Sequence, residues 1–301
     1  MINVGLIGLG YWGSNYLKAL IYNNIANLKS ICDEDLSRLS NLNINCHKTN
    51  NPYEIAKDDS IDGVIIATPA STHYKLAKMM LEHKKHVLVE KPLTMNYKQA
   101  VELCNISKEE DRLLMVGHIY CYNPAVNYIK KLLEDKELGD LYYGIGQRLG
   151  LGPIREDADC IWDLAIHDVA MLDYLINDMP IKIDISATSF IREGIYDHAT
   201  IVFKYKNGFQ FTLIVSWYAA EKIRTWYIMG SRSMLKFDDM KKDTPLTIFD
   251  KNIKKDNKNN IVPREGDIIY PYVKYEEPLI IQLKHFINCI SSHTKPLTDG
   301  E

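Results

Sequence analysis

Three groups of residues in this 301-residue chain have types and spacings suited to chemistry. Gly8, Gly10 and Gly13 form G-x-G-x-x-G between an apolar, β-prone run at 2–7 and a helix-like run at 14–20. Glycine at the first position permits a tight turn, at the second lets backbone approach a pyrophosphate, and at the third lets helix and strand pack closely. The helix start beyond them attracts phosphate charge. Asp33 ends the next strand-like run, 20 residues past Gly13, the separation at which a carboxylate accepts both ribose hydroxyls of an adenosine. A carboxylate there repels a 2′-phosphate, which favours NAD over NADP, although Arg38 nearby softens the preference. The second group is Glu90-Lys91 and the third is Asp163 with His167, four apart. Oxidising a secondary alcohol needs a hydride acceptor, a base for the hydroxyl proton and positive charge beside the developing alkoxide. Imidazole, with a reference pKa of about 6.5, suits the base, and an ammonium suits the charge. Asp163 and His167 share a face if the segment is helical; alternatively Asp163 sits just before the helix. Each group also has a plain structural reading: a strand-end turn, a solvated acid or lysine, an ordinary i,i+4 pair.

The surrounding pattern supplies elements that gather these groups. Over the first 120 residues strand and helix alternate: strands at 27–32, 62–67, 86–89 and 113–116, helices at 73–82 (with Thr72 as cap) and 96–110. The continuous apolar run at 62–67 suits a parallel strand covered on both faces. In an open α/β sheet the ligand crevice lies outside the carboxyl ends of the strands. Gly8 to Gly13, Thr68 to His73, Glu90-Lys91 and His118 all fall there, His118 being equally readable as a partly buried core histidine. From 123 the texture changes to a connecting helix at 123–133, then strands at 141–147, 181–190, 198–204, 209–217 and 222–229. Asn207-Gly208 marks a hairpin. One helix interrupts at 166–176, and a last one at 278–291 carries an apolar stripe of Leu279, Leu283, Phe286 and Ile290. This predicts an α/β chain with two domains: a nucleotide-binding domain at 1–120 and an α+β domain at 121–301 with a largely antiparallel sheet. The Lys- and Asn-rich stretch 250–260 reads as a solvated loop.

Composition excludes several classes. A hydrophobic fraction of 46% with 25% charged residues is that of a soluble globular protein. A net charge of −3 gives no reason to expect nucleic acid or an anionic membrane surface. No apolar run approaches the roughly 18 residues of a membrane span, and the first strand begins too near Met1 for a signal peptide. Six scattered cysteines without a C-x-x-C pair read as free thiols in a cytoplasmic protein, and no metal site is expected.

The motifs together resemble the Gfo/Idh/MocA family of nicotinamide-dependent sugar oxidoreductases along essentially the whole chain. The resemblance rests on Gly8-Leu9-Gly10-Tyr11-Trp12-Gly13, Ala67-Thr68-Pro69 with His73, His86-Val87-Leu88-Val89-Glu90-Lys91-Pro92, and Trp162-Asp163-Leu164-Ala165-Ile166-His167-Asp168. Within the family, Tyr11 to Asn15 and the stretch 147–155 are most similar to enzymes of the UDP-N-acetylglucosamine 3-dehydrogenase kind. The resemblance implies an N-terminal Rossmann domain binding NAD through Gly8, Gly10, Tyr11, Trp12, Gly13, Asp33, Thr68, Pro69, His73, Glu90 and Lys91. It implies Lys91 and His167 at the reacting hydroxyl, Asp163 binding or orienting, and His118, Tyr122, Asn123 and Arg155 as substrate contacts. Members of the family normally run on into a further helix beyond Pro296, so the chain is short there. The expected reaction is hydride transfer between NAD and a sugar ring hydroxyl, C3 of a nucleotide-linked sugar such as UDP-N-acetylglucosamine, in a homodimer or homotetramer. Two readings stand beside it: a free polyol or aldose dehydrogenase or ketosugar reductase, and a non-catalytic NAD-sensing module.

Overall fold

The structure, a computed structural model, describes residues 1–152, 154–156 and 158–301. Pro153, inside the 147–155 stretch, and Asp157 lie outside the described residues. The chain divides into two compact units, Met1–Tyr122 with Glu277–Glu301, and Asn123–Glu276.

Unit 1 begins as β1 (Asn3–Ile7), α1 (Tyr11–Asn23), β2 (Asn27–Cys32), α2 (Leu36–Ser40), β3 (His47–Thr49) and α3 (Pro52–Lys57). It continues as β4 (Gly63–Ile66), α4 (Ala70–Glu82), β5 (His86–Val89), α5 (Tyr97–Glu109) and β6 (Leu114–Val116). The six strands pair in parallel in the order β3-β2-β1-β4-β5-β6, the doubly wound arrangement in which order reverses between β1 and β4. Apolar runs without alternation, such as the fully buried β4, are what a sheet covered on both faces requires. Asn51, Asn96 and Asp35 start α3, α5 and α2 by accepting a backbone N–H two residues on. At α4 the expectation needs correcting. The helix starts at Ala70, with the fixed φ of Pro69 setting its entry, and Thr72 lies inside the first turn with its hydroxyl on Pro69 O.

Unit 2 opens with α6 (Pro124–Glu134), β7 (Leu141–Leu151), a π turn (Ile161–Ala165) and α7 (Ile166–Ile176). The strands β8 (Lys182–Thr188), β9 (His198–Lys204), β10 (Gln210–Ser216), β11 (Tyr218–Gly230) and β12 (Met234–Asp238) follow. Then come β13 (Leu246–Phe249), β14 (Asn252–Lys255), β15 (Ile261–Arg264) and β16 (Ile268–Ile269). Eight of them form one sheet, β16-β13-β12-β11-β7-β10-β9-β8, antiparallel except where β7 runs parallel to β10. Gly208, at φ +88, turns β9 into β10, with Asn207 Oδ1 accepting the Phe209 N–H. The inner face is apolar: Phe211, Leu213 and Val215 of β10 pack with Trp226 and Ile228 of β11 and Leu235 and Phe237 of β12. The stretch 250–260 is no plain loop; it contains β14 and the turn of a two-stranded hairpin with β15.

The last helix, α8 (Pro278–Ser292), was expected in the second domain and belongs to unit 1. Its apolar stripe is buried, and Phe286 and Ile290 fill the space beside Gly63 at the start of β4. The chain end returns along β6, where Val116 N–H donates to Thr298 O at 2.8 Å.

Candidate active site and its relatives

The carboxyl edge of the unit 1 sheet carries the groups foreseen for a dinucleotide. Gly8 turns out of β1 at φ +93, and its N–H donates to Cys32 O at the end of β2 (2.8 Å). A side chain at Gly13 would place Cβ 1.9 Å from Gly8 O, so helix and turn meet at a distance only glycine allows. Gly10, in contrast, has nothing within 4 Å of that position, which leaves backbone open to an approaching phosphate. The N-cap of α1 has no side-chain bond and the first turn no acidic residue, so its N–H groups and dipole are suited to an anion. Tyr11 beside it is exposed and meets the Trp12 ring edge-on, centroids 5.7 Å apart.

Asp33 follows β2 and is buried. Its carboxylate accepts Leu9 N–H at 2.6 Å and Asp35 N–H at 2.9 Å, with Arg38 Nη1 at 3.4 Å. The glycine loop and the acid are thus one assembly. A carboxylate offers about four lone-pair sites, so acceptors remain for a ribose. These residues fit NAD: turn, open backbone, uncapped helix start and acid stand in one row.

His73, expected at the cofactor, is only 1% exposed. One ring nitrogen lies 2.8 Å from Pro92 O and the other 2.9 Å from Thr68 O, and burial lowers its pKa. It therefore pins the Thr68-Pro69 loop to the loop after Lys91 and does not itself reach the surface. Thr68 Oγ1 shares a 2.7 Å hydrogen bond with Thr72 Oγ1, and Pro69 is exposed.

Glu90 and Lys91 leave β5 together. The Glu90 side chain turns inward, accepting Tyr16 O–H at 2.7 Å and, through Oε2, the Lys91 N–H at 3.2 Å. Burial pushes its pKa up to about 7, opposed by the Tyr16 hydrogen bond and the Lys91 charge. Tyr16 Oη also lies 3.2 Å from Gln282 Oε1, while Gln282 Nε2 has no partner. Exchanging the amide oxygen and nitrogen removes the competition for the one Tyr16 proton: a Gln282 N–H donates to Tyr16 Oη, and Tyr16 O–H donates to Glu90. Sequence reasoning missed Tyr16 and Gln282. The available signal was a polar group at an inward position of each helix, Gln282 standing beside Leu283 in the apolar stripe of α8. His118, after β6, has a buried, unpartnered Nδ1, and burial with the Lys91 charge lowers its pKa to about 4, so the ring is neutral at pH 7.

Tyr122 is corrected. Expected to touch substrate, it is 2% exposed, with its hydroxyl 3.1 Å from Thr298 Oγ1 and its ring tilted against His285. It packs the core of unit 1. Asn123 spends its Oδ1 on the Ala125 N–H at the start of α6.

In unit 2 the motif residues fall where helix geometry changes. Asp163 lies in the π turn, whose widened coil is closed by Ile166 N–H on Ile161 O, and His167 lies in the first turn of α7. Both sequence alternatives contain part of this: the segment is coiled, and Asp163 precedes the α-helix. Trp217 Nε1–H donates to Asp163 Oδ2 at 3.1 Å, and Arg155 Nη1 stands 3.5 Å from Oδ1. Arg155 and Asp163 are therefore brought together. Asp168, next to His167, is buried on Arg148 and Trp226. Neither Trp217 nor Trp226 was singled out from sequence, and Asp168 was quoted only as the end of a motif with no role given, although their polar atoms at core-facing positions demand partners.

Comparison with known proteins identifies the family. Residues 2–118 match the Gfo/Idh/MocA oxidoreductase family, NAD-binding Rossmann fold, and residues 126–236 match the Gfo/Idh/MocA C-terminal domain. The UDP-N-acetylglucosamine 3-dehydrogenase of Acidithiobacillus ferrooxidans is 25% identical over 300 residues, 99% of this chain and 92% of that protein. A solved structure of that organism's UDP-N-acetylglucosamine 3-dehydrogenase superposes with TM-score 0.82 at 24% identity, covering 99% of this chain and 92% of that one. The myo-inositol 2-dehydrogenase of Thermotoga maritima is 24% identical over 318 residues, 100% of this chain and 91% of that protein. With its two family matches, its glycine turn joined to Asp33 and its Glu90-Lys91 strand end, the chain belongs to the NAD-binding Gfo/Idh/MocA oxidoreductases.

Proposed function

We propose that the protein moves a hydride between NAD and a ring hydroxyl of a nucleotide-linked sugar, at C3 of UDP-N-acetylglucosamine. The observation that carries this is the chain's retention of the whole reactive set, Lys91 at the sheet edge of the NAD-binding unit and Asp163 with His167 at the π–α junction. Lys91 donates a hydrogen bond to the reacting oxygen and stabilises negative charge as its proton leaves. His167 takes that proton at an imidazole nitrogen. Asp163, held by Trp217 and Arg155, orients the ring or the substrate. Bound NAD supplies the hydride acceptor, held by the α1 start, Gly10 backbone and Asp33. His118, neutral and next to Lys91 in charge, contacts substrate without competing for the proton. The sugar assignment draws on near full-length likeness to the Acidithiobacillus enzyme.

A second reading, a free polyol dehydrogenase, is favoured by the equally extensive likeness to the Thermotoga inositol enzyme. UDP-N-acetylglucosamine, myo-inositol and glucose are compared as substrates while NADH absorbance is followed. Turnover of myo-inositol alone replaces the first reading with the second. Lys91→Ala and His167→Ala are each expected to lower kcat about 10²- to 10⁴-fold; wild-type turnover in both rejects the catalytic assignment. NAD binding without turnover of any of the three leaves the sensing module.

The outward face of the unit 2 sheet supports a homo-oligomer. Tyr143 and Ile145 of β7 lie beside Met229 and Tyr227 of β11, and Tyr143 and Tyr227 are exposed. Ile145→Asp is expected to shift the sedimenting species to monomer.

A further inference from the structure

Asp168 follows His167 in α7 and is 1% exposed. Its Oδ2 accepts Arg148 Nε–H at 2.5 Å, and its Oδ1 accepts Trp226 Nε1–H at 2.7 Å and Arg148 Nη2–H at 3.3 Å. Arg148, itself 4% exposed, comes from β7 and Trp226 from β11. Trp226 stands opposite Gly146 in the β7–β11 pairing, and Arg148 lies two residues along the same face. Gly144 and Gly146 make this arrangement possible. A Cβ at either would lie 2.5 and 2.9 Å from the Phe211 ring, which packs at a 47° tilt against Trp226 with centroids 4.4 Å apart. The glycines admit Phe211, Phe211 sets the indole plane, and the indole N–H aims at Asp168.

A buried ion pair is a poor fastener, because desolvating both charges offsets most of their attraction, and an apolar contact would hold the helix as well. What the two-pronged guanidinium and the indole add is direction. Three donors on one carboxylate fix the rotation of α7 about its own axis. At 3.6 residues per turn, neighbouring side chains point about 100° apart, so fixing Asp168 inward also fixes where His167 points.

We propose that Asp168, Arg148 and Trp226 form the positioning set of His167, acting on the proton transfer through the helix rotation and touching neither substrate nor cofactor. The proposal rests on the reading of His167 as the base. Trp226→Phe removes one donor and keeps an aromatic ring, a smaller one. The double variant Asp168→Asn/Arg148→Gln keeps a polar pair without a buried charge. Both are measured for kcat and KM with UDP-N-acetylglucosamine and NAD, for thermal unfolding, and for the imidazole NMR signals of His167, assigned with His167→Gln. The expected result is a fall in kcat of about tenfold to a hundredfold, the range for a reacting group displaced by an ångström or less. KM and NAD affinity stay unchanged and the His167 signals move. Unmoved signals with unchanged kcat overturn the proposal, and so does a kcat loss that vanishes when the variants are assayed well below their unfolding temperatures. His167→Ala is run in parallel. If it keeps wild-type turnover, the base reading fails, and the NMR signals alone decide whether the set orients the ring.

Discussion

Asp33 does three things at one carboxylate: it holds the Leu9 N–H of the glycine loop, closes the turn at Asp35 and faces the half-exposed Arg38. Asp33→Ser is therefore expected to weaken NAD about tenfold or more, the effect of losing a hydrogen bond to a charged group. It also removes one of the two carboxylates that Arg38 faces, Asp35 remaining at 3.5 Å, and with it the charge that repels a 2′-phosphate, so the ratio of NADP to NAD affinity rises; fluorescence titration with each cofactor measures it, and an unchanged ratio contradicts the ribose role. Glu90 yields a prediction of opposite electrostatic character. Its folded pKa of about 7 lies above the ordinary glutamate value of 4.5, so the native state binds more protons than the unfolded one between those values. Stability then falls as pH rises through that window, by on the order of 2–3 kcal/mol for this group. Glu90→Gln should flatten that slope in denaturant unfolding at pH 5 and pH 8, and an equally steep slope refutes the buried-acid account. Motif and spacing made Asp33, Glu90 and Lys91 readable in the sequence. The chain of contacts behind Glu90 was hidden because its partner Tyr16 and the Gln282 that Tyr16 meets are 266 positions apart, and nothing local records that they meet. Tyr122 and His73 misled for a related reason: type and spacing suggest chemistry, but only packing reveals which ring is sealed in.

At the level of elements, the β1–α1 turn separates two uses of glycine. Gly13→Ala forces a methyl group against the Gly8 carbonyl, and backbone on both sides cannot give way. Overpacking of this kind costs about 1–3 kcal/mol or more, so the cofactor-free melting temperature should fall. Gly10→Ala meets no protein atom and should leave that temperature unchanged while weakening NAD, because the methyl group enters the open space. Equal melting temperatures for the two variants contradict this division. The parallel strands were legible because burial on both faces writes itself as an unbroken apolar run, and the antiparallel strands β9 and β10 because an Asn-Gly turn joins them. The pair β14–β15 was not legible. It has no core face, its residues are largely exposed, and without a buried side no apolar alternation marks it. The π turn carrying Asp163 left no trace either, since one widened turn shifts register without changing composition.

Across the whole molecule, unit 1 is built from both ends of the chain. Leu279, Leu283, Phe286, Ile287 and Ile290 of α8 are buried, and burying each contributes about 1.5–3 kcal/mol. Ending the chain before Glu277 should therefore abolish NAD binding and the cooperative unfolding of unit 1 while leaving that of unit 2, which calorimetry can resolve; retained NAD affinity would show that α8 is dispensable. The stripe of α8 was plain in the sequence, but its destination was not, because an amphipathic helix states that it has a partner and not which one. The returning helix also sets an order of events during synthesis. Domains ordinarily close in the order in which they leave the ribosome, yet here the middle of the chain, unit 2, is complete at residue 276 while the first-made unit still lacks its last helix. Tyr16 and Glu90 emerge early and wait for Gln282, so the nucleotide-binding half is begun first and finished last.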